Sequence, residues 1–290
     1  MIRRNVMWIA SYPKSGNTWV HSVLRSAGHE SDFPQTDMDV YNIARNGKEL
    51  LTCGAVNPKF APTPCVVLKT HSPFRETMHY IPGYELVNAA YIHVYRNPLD
   101  VLLSYINFSR LDYARQPDNP AVRKRLFLDL LGFDRPYEYS DWLKTSLDMI
   151  PRKNLDHALD YFSDNGLILD EMAELAGSWL ENTTSWVQAA SILPGRSIRY
   201  EDCLADPETI TRLAEMFTFG EDKVLEMLDF ENSKVRIEHA DPYEHDAVFF
   251  NKMSAYYFVD YFSRPAIERF MARYGGALRM LGYEDLLRLV

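Results

Sequence analysis

The segment from Val6 to Gly28 combines the features of a phosphate-binding turn with a lysine in an unusual place. It reads VMWIASYPKSGNTWVHSVLRSAG, so a short apolar stretch meets Pro-Lys-Ser-Gly and then apolar residues at helical spacing. This order suits an anion, because the amides that begin a helix and the helix dipole both attract negative charge. In nucleoside triphosphate kinases the lysine follows the last glycine of the loop, whereas Lys14 precedes Gly16. The segment favours a different phosphate site; the alternative is an ordinary strand–helix turn with a surface lysine.

A second segment, YIHVYRNPLDVLLSYINF, places an arginine at the end of an apolar stretch and just before a predicted helix. Asn97 suits the cap, Pro98 the first helical position and Asp100 the first turn. Ser104 lies two helical turns beyond Asn97, so Arg96 and Ser104 could converge on one anion. The alternative is a capped helix with a salt-bridged arginine.

A third segment, LKTHSPF, ends another apolar stretch with Lys69 and His71. A single histidine after a strand usually has a structural role. Its position at a strand end, on the same predicted face as the glycine turn, favours a functional one. As a base it must be neutral, and its ordinary pKa is about 6.5.

The apolar stretches predict strands separated by helices. The predicted strands are Val6–Ala10, Cys65–Leu68, Ala89–Tyr95 and Ser197–Tyr200. Continuous apolar runs are typical of parallel strands buried on both faces, and such sheets bind ligands at the carboxyl ends of their strands. We therefore predict an α/β fold, a single domain over residues 1–290 with a central parallel sheet flanked by helices. Residues 112–169 are interpreted as a helical insertion that serves as an acceptor lid, and Arg264–Val290 as two helices separated by Gly275-Gly276.

Charge and cysteine content restrict the class of protein. The formal net charge of −9 disfavours a broad nucleic-acid surface, so an anion site must be local. Cys53, Cys65 and Cys203 lack metal-ligand spacing and are predicted to be reduced thiols. The N-terminus lacks a signal-peptide pattern, and no stretch approaches the roughly 18 apolar residues of a membrane span. We expect a cytoplasmic protein.

The glycine turn resembles the 5′-phosphosulfate loop of the sulfotransferase family, whose donor is 3′-phosphoadenosine 5′-phosphosulfate (PAPS). SYPKSGNTW matches the family pattern Tyr/Phe-Pro-Lys-Ser-Gly-x-Thr-Trp through Trp19. The resemblance implies a P-loop-like fold in which Lys14 contacts the 5′-phosphate and the oxygen that bridges it to sulfur, and Trp19 stacks on adenine. The residues implied to cradle the phosphate are Ser15, Gly16, Asn17 and Thr18. Asn17 stands where many animal members have threonine, and its amide could still donate a hydrogen bond.

The other segments resemble further motifs of the same family. The Arg-Asn-Pro-x-Asp-x-x-x-Ser pattern implies that Arg96 and Ser104 bind the donor's 3′-phosphate. Lys-Thr-His implies that His71 is the general base and that Lys69 stabilises the transferring sulfuryl oxygens, although some relatives use a carboxylate as base. IRYEDCLADPE implies that Tyr200 borders the adenine. GSWLENTTSW resembles the helix before that strand, and its tryptophans are predicted to be core residues.

One motif departs from the family. The 3′-phosphate site usually closes with Arg-Lys-Gly-x-x-Gly, and the corresponding residues here are NKMSAY. Lys252 is retained, whereas Asn251 replaces the arginine and Met253 and Tyr256 replace the glycines. Glycine tolerates backbone angles that other residues avoid, so a glycine-built nest cannot be assumed. The loop either binds differently or becomes ordered only with donor or acceptor.

The resemblance implies sulfuryl transfer from PAPS to a hydroxyl group, without a metal. A small alcohol, phenol or lipid-like acceptor is favoured over a long anionic polysaccharide, whose groove would need more basic residues. The predicted acceptor wall consists of Phe74, Tyr80, Tyr105, Phe108 and Tyr113. Two alternatives stay open, an atypical small-molecule kinase and a nucleotide-binding regulatory protein without catalysis. The sequence also leaves a homodimer open.

Overall fold

The computed structural model describes most of the chain. The described residues are 1–28, 40, 49–75, 80–115, 119–136, 141–142, 145–169, 173–228 and 254–289. The strands are β1 (Ile2–Ser11), β2 (Cys65–Thr70), β3 (Tyr84–Tyr95) and β4 (Gly195–Arg199).

The helices follow and separate these strands. The α-helices are α1 (Asn17–Ala27), α2 (Pro98–Arg115), α3 (Pro120–Arg123), α4 (Arg152–Asp164), α5 (Ala173–Ala176), α6 (Trp179–Ala189), α7 (Tyr200–Ala205), α8 (Glu208–Thr211), α9 (Phe258–Tyr261) and α10 (Arg264–Met280). Lys124–Leu130 extends α3 as a π-helix, and short 3₁₀ segments span Leu147–Met149, Arg212–Met216 and Leu286–Arg288. Among the described residues, no helix has both the length and the apolarity needed to cross a membrane.

The strands form one parallel sheet in the order β2-β1-β3-β4. The last six residues of β1 are fully buried, as are Cys65–Leu68 in β2. Burial on both faces explains the continuous apolar runs, and the predicted α/β class with a central parallel sheet is confirmed. The strands extend beyond the predicted ranges, except that Tyr200 begins α7 instead of ending β4.

The described chain divides into two compact units. Unit 1 comprises the described residues of Met1–Arg96, Leu175–Gly177 and Glu181–Ile237, and unit 2 those of Asn97–Glu174, Ser178–Leu180 and Glu238–Val290. Unit 1 contains the whole sheet. The single domain over residues 1–290 and the lid role of residues 112–169 stay predictions.

The core of unit 1 lies against the sheet and is centred on tryptophans. Trp8 on β1 and Trp186 on α6 are both fully buried. Trp186 contacts the rings of Tyr91 and Phe74, with ring centroids 5.5 and 5.2 Å away. Trp179, the other tryptophan of the GSWLENTTSW segment, belongs to unit 2 and is also fully buried. The prediction that these tryptophans are core residues is confirmed.

The cysteines are chemically sheltered. Cys53, Cys65 and Cys203 are all free thiols and buried, which confirms the prediction of reduced cysteines. Burial raises the pKa of Cys65 and of Cys203 to about 12. These two thiols are therefore protonated and unreactive at neutral pH, since the thiolate is the nucleophile.

In unit 2, α2 begins with the predicted cap. The side-chain oxygen of Asn97 accepts a hydrogen bond from the backbone N–H of Asp100 at 2.9 Å, and the Asn97 amide donates to the Asp100 carboxylate at 2.9 Å. Pro98 is the first helical residue. The two polar residues thus satisfy each other and one of the amides that α2 leaves without a helical partner.

The prediction of two helices in Arg264–Val290 is wrong, because α10 runs without a break through Gly275-Gly276. A glycine inside a helix costs about 1 kcal/mol relative to alanine. Contacts with α4 oppose this cost: Arg269 pairs with Asp160 and Arg273 with Asp164, each at 2.7 Å. These partners lie more than 100 residues earlier, so local sequence did not reveal them.

Tyr256 occupies a conformation that normally favours glycine. Its φ is +60°, at a position where the related motif has glycine. Its backbone N–H donates to the Asp100 carboxylate at 2.8 Å, and its hydroxyl donates to the Asp285 carboxylate. The same Asp100 carboxylate accepts the N–H of Phe258 at 3.0 Å. A left-handed backbone costs roughly 1–2 kcal/mol per non-glycine residue, and these hydrogen bonds offset it. At this position the glycine-like angle is kept without glycine.

We predict that Tyr256→Gly is more stable than Tyr256→Ala by about 1 kcal/mol, because glycine adopts positive φ without strain. Both variants lose the same hydroxyl and ring. The free energy of unfolding in urea measures the difference.

The control is a second pair of variants, Glu268→Gly and Glu268→Ala, at an exposed position inside α10. There the alanine variant should be the more stable one, since alanine is the better helix former. If alanine were at least as stable as glycine at position 256, the left-handed conformation of Tyr256 would be wrong.

Candidate active site

The register of β1 and β2 brings Ser11 and His71 together. Ala10 pairs with Thr70 in the parallel ladder. The residues that follow them, Ser11 and His71, therefore lie side by side. The Nδ1 atom of His71 lies 2.9 Å from the carbonyl oxygen of Ser11. A carbonyl oxygen only accepts hydrogen bonds, so Nδ1 carries the proton. In the neutral ring, Nε2 is then the nitrogen that can accept a proton.

The surroundings of His71 keep its imidazole neutral. Its pKa is lowered to about 3, first by burial, then by the positive charge of Lys69 and to a smaller extent by that of Lys14. The hydrogen bond to Ser11 opposes this shift without cancelling it. The site thus shifts the pKa of this half-buried histidine away from its ordinary value near 6.5, partly because two cations lie beside it.

Lys14, Lys69 and His71 gather where β1 and β2 end. Lys69 is the fifth residue of β2, and its Nζ donates to the hydroxyl of Thr18 at 3.4 Å. Lys14 lies in the turn after β1 with a φ of +67°. Both lysines are close enough to lower the pKa of His71. The three predicted catalytic side chains therefore share one site.

The turn after β1 presents the N-terminus of α1 to this site. Gly16 is the cap residue, and the first turn of α1 contains no acidic residue. Within the described ranges, no side chain caps this helix. The first helical hydrogen bond runs from Val20 N–H to Gly16 O at 3.1 Å. The backbone amides of Asn17 and Thr18 come before this bond, so the helix itself offers them no acceptor. Such amides favour an anion.

Ser15 supports the same interpretation through its side chain. The residue is fully buried, and its hydroxyl oxygen has no hydrogen-bond partner among the described residues. A buried hydroxyl without a partner is costly, and a bound oxyanion would satisfy it. Its backbone N–H has a different role, since it donates to Tyr12 O at 3.2 Å and closes the turn.

Asn17 has a different side-chain role from the one expected. Its amide donates to the carbonyl oxygens of Ile9 at 3.0 Å and Thr70 at 3.5 Å. The side chain thus bridges β1 and β2 beneath the turn, and both of its N–H groups are used there. Only the backbone amide of Asn17 remains for the predicted phosphate cradle.

Tyr200, Arg96 and Trp19 pack against the same turn. Tyr95 pairs with Arg199 across β3 and β4, so Arg96 and Tyr200 follow side by side. The Arg96 guanidinium lies 4.5 Å from the centre of the Tyr200 ring, and Trp19 meets that ring edge-on at 5.8 Å. A Cβ at Gly16, whose φ is +101°, would lie 2.5 Å from the Tyr200 ring. Glycine is thus required by both angle and space.

The remaining predicted residues are less informative. Ser104 is half-buried on α2 in unit 2, and Lys252 lies outside the described residues. Their joint role with Arg96 stays a prediction. The described ranges contain no cluster of histidine, cysteine and carboxylate side chains that could hold a metal ion.

The predicted acceptor-wall residues have different environments. Phe74 packs on Trp186, and Tyr80 is 76% exposed. In unit 2, Tyr105 is buried and lines a small cavity with leucines of the π-helix, and Phe108 is half-buried. The side chain of Tyr113 lies outside the described part of the chain. The acceptor wall stays a prediction.

Sequence reasoning missed two residues that contact His71. One is Ser11, which became visible only with the strand register. The other is Asn182 on α6, whose amide donates to the carbonyl oxygen of His71 at 2.6 Å. The GSWLENTTSW pattern indicated this helix, yet only its tryptophans were given a role.

Comparison with known proteins assigns the family. Residues 4–282 match the sulfotransferase domain family. Mouse sulfotransferase SULT7A1 complexed with PAP has a TM-score of 0.52 and 15% identity, covering 98% of this chain and 86% of that one. Retinol dehydratase in complex with retinol and PAP has a TM-score of 0.51 and 14% identity, covering 96% and 82%. At these identities the two structures show a shared fold. Because the family match spans nearly the whole chain, this protein belongs to the sulfotransferase domain family and is a sulfotransferase.

Proposed function

We propose that the protein transfers the sulfuryl group of PAPS to the hydroxyl group of a small, apolar acceptor, with His71 as general base. The observation that carries the proposal is the state of the imidazole. Its Nδ1 proton is donated to Ser11 O, and its lowered pKa keeps it neutral, so Nε2 can accept a proton. A general base must be within reach of the proton that it abstracts and must be unprotonated before it acts.

In this proposal the acceptor oxygen attacks sulfur as its proton passes to Nε2 of His71. The bond between sulfur and the bridging oxygen breaks, and the electron pair leaves with the 5′-phosphate of the nucleotide product. A base with a pKa of about 3 would be weak. Negative charge bound beside Lys14 and Lys69 would offset two of the causes that lower this pKa, and would raise it toward a useful range.

Lys14 and Lys69 then stabilise charge that develops during transfer. We assign Lys14 to the 5′-phosphate and the bridging oxygen, and Lys69 to the sulfuryl oxygens. The hydrogen bond from Lys69 to Thr18 holds its ammonium beside the N-terminus of α1. Fixed positive groups around a transferring anion are the main source of catalysis in such reactions.

The donor cradle follows from the same turn. The residues proposed to bind the donor are Lys14, Ser15, Gly16, Asn17, Thr18, Trp19, Arg96, Ser104, Tyr200 and Lys252. Support comes from the uncapped N-terminus of α1 and from the buried Ser15 hydroxyl. Trp19 is only 3% exposed, so stacking of adenine on its ring requires neighbouring side chains to move.

The acceptor is the least constrained partner. A net charge of −9 offers little attraction for a polyanionic acceptor. The retinol bound in one structural relative is a small apolar alcohol of the proposed kind. A cytoplasmic location and a homodimer stay predictions.

A panel of alcohols, phenols, sterols and acidic polysaccharides incubated with PAPS radiolabelled in sulfur tests this function. We expect label to pass to at least one small hydroxyl compound well above the rate of donor hydrolysis. Transfer only to sulfated or acidic polysaccharides would contradict the proposed acceptor class. Donor binding without transfer to any acceptor would contradict catalysis.

We predict that Arg96→Ala removes most of the preference for 3′,5′-adenosine bisphosphate over AMP. A buried charge-assisted contact is worth about 1.5–3 kcal/mol, roughly 10- to 150-fold in affinity. Calorimetric titration of both nucleotides measures the gap. Arg196→Ala, which breaks an exposed pair with Glu215, is the matched control and should leave it unchanged. Equal affinities of the unaltered protein for the two nucleotides would rule out a 3′-phosphate site at Arg96.

We predict that His71→Ala lowers kcat by about 10²–10⁴-fold with the identified acceptor, the usual value of general-base catalysis. Affinity for the bisphosphate should stay nearly unchanged, because the lysines and the α1 turn remain. His157→Gln, at an exposed histidine of α4, should leave kcat as it is. Near-normal turnover by His71→Ala would mean that another group is the base.

The same hypothesis fixes the titration of His71. A lowered pKa keeps the ring neutral as pH falls, so in the ligand-free protein it should stay neutral from pH 8 to pH 5 and protonate only near pH 3. The bisphosphate should raise this pKa. NMR of labelled imidazole nitrogens, assigned with His71→Ala, follows both states. A ligand-free pKa near 6.5 would contradict the lowered pKa described above.

A further inference from the structure

One face of α6 holds the backbone that follows β2. The Asn182 amide donates to His71 O at 2.6 Å, and the Trp186 indole N–H donates to Ser72 O at 2.9 Å. The hydroxyl of Ser185 accepts the N–H of Phe74 at 2.8 Å. Positions 182, 185 and 186 share one helix face, since residues three and four apart are neighbours on a helix. The segment that begins with His71 is therefore attached to α6 at three points.

Asn182 is the attachment that acts on His71 itself. The residue is fully buried, and its amide also donates to Ala176 O at 3.3 Å. Both N–H groups are thus directed at carbonyl oxygens, which fixes the orientation of the amide. Its own oxygen has no hydrogen-bond partner among the described residues. Leaving a buried acceptor unsatisfied is costly. This orientation of the amide nevertheless holds the carbonyl group of His71 in a fixed position.

His71 is consequently held at two points, one on each side of its Cα. Asn182 fixes its backbone carbonyl, and Ser11 O accepts the proton on Nδ1. The ring can keep its bond to Ser11 only while the backbone stays in place, because the imidazole is joined to that backbone by two rotatable bonds. Releasing the carbonyl frees the residue to turn away from Ser11, and Nδ1 then loses the acceptor that selects its tautomer.

We propose that Asn182 is a positioning residue that holds His71 with its proton on Nδ1 and Nε2 ready to act as base. The catalytic part of this proposal rests on the proposed role of His71 in sulfuryl transfer. The positioning part rests only on the contacts of Asn182 and can be measured without turnover.

Asn182→Leu tests the proposal, because leucine has a similar volume but donates no hydrogen bond. Ser185→Ala is the matched control, since it releases the same segment at Phe74 and leaves the His71 carbonyl bound. NMR of labelled histidine reports the tautomer of His71, calorimetry reports bisphosphate affinity, and labelled PAPS reports kcat.

In Asn182→Leu we expect His71 to lose its single Nδ1-protonated tautomer and kcat to fall by about tenfold or more, since a displacement near 1 Å can cost 10²-fold. Bisphosphate affinity should stay within about twofold of the unaltered protein, because the α1 turn is untouched. Ser185→Ala should keep the tautomer. An unchanged tautomer in Asn182→Leu, or an equal change in Ser185→Ala, overturns the proposal.

If Asn182→Leu does not fold, Asn182→Asp takes its place, because an ionised carboxylate has nearly the same shape but only accepts hydrogen bonds. The tautomer is again decisive: a mixture supports the proposal and an unchanged Nδ1-protonated ring overturns it. A changed tautomer in a protein that transfers no sulfuryl group to any acceptor would leave Asn182 as a positioning residue and contradict the function of His71 as base. The two failures are thus distinguishable.

Discussion

The hydrogen bond from His71 Nδ1 to the carbonyl oxygen of Ser11 is the interaction on which the arrangement of the site depends. It exists because β1 and β2 are parallel neighbours whose register pairs Ala10 with Thr70. The two strands end together, and each passes a functional residue to the same edge of the sheet. Asn17 reinforces this edge by bonding to a carbonyl oxygen of each strand. The position of the imidazole therefore depends on the register of the two strands, together with the contact from α6.

The charge distribution follows the same geometry. The protein is acidic overall, with a formal net charge of −9, yet Lys14, Lys69 and the N-terminus of α1 meet at this one edge. The field that attracts a polyanionic donor is also a field that lowers the pKa of His71. The charge of Lys14 and Lys69 thus adds to burial, the largest cause, in keeping the imidazole neutral. In the proposed function, the negative charge of the bound donor would offset the part of this shift that the lysines cause and would make His71 a stronger base.

Local patterns predicted the buried centres of the strands, the Asn97 cap and the glycine turn, because these depend on neighbours in sequence. They did not predict the exposed start of β1, where Ile2 pairs with Tyr84 of β3. The continuity of α10 and the left-handed Tyr256 depend on carboxylates more than 100 residues away. The same holds for the site. The sequence indicated which residue types take part, whereas the contacts of His71 with β1 and α6 could be found only from the fold.

The buried thiols have a practical consequence for spectroscopy. All three cysteines are inaccessible, and two have a pKa of about 12, so maleimide dyes that react with thiolates will find little to modify in the native protein. A single cysteine introduced at an exposed site such as Met280, which is 81% exposed, can therefore carry a fluorophore or spin label. The native cysteines do not have to be replaced first, so the label reports on an otherwise unaltered sequence.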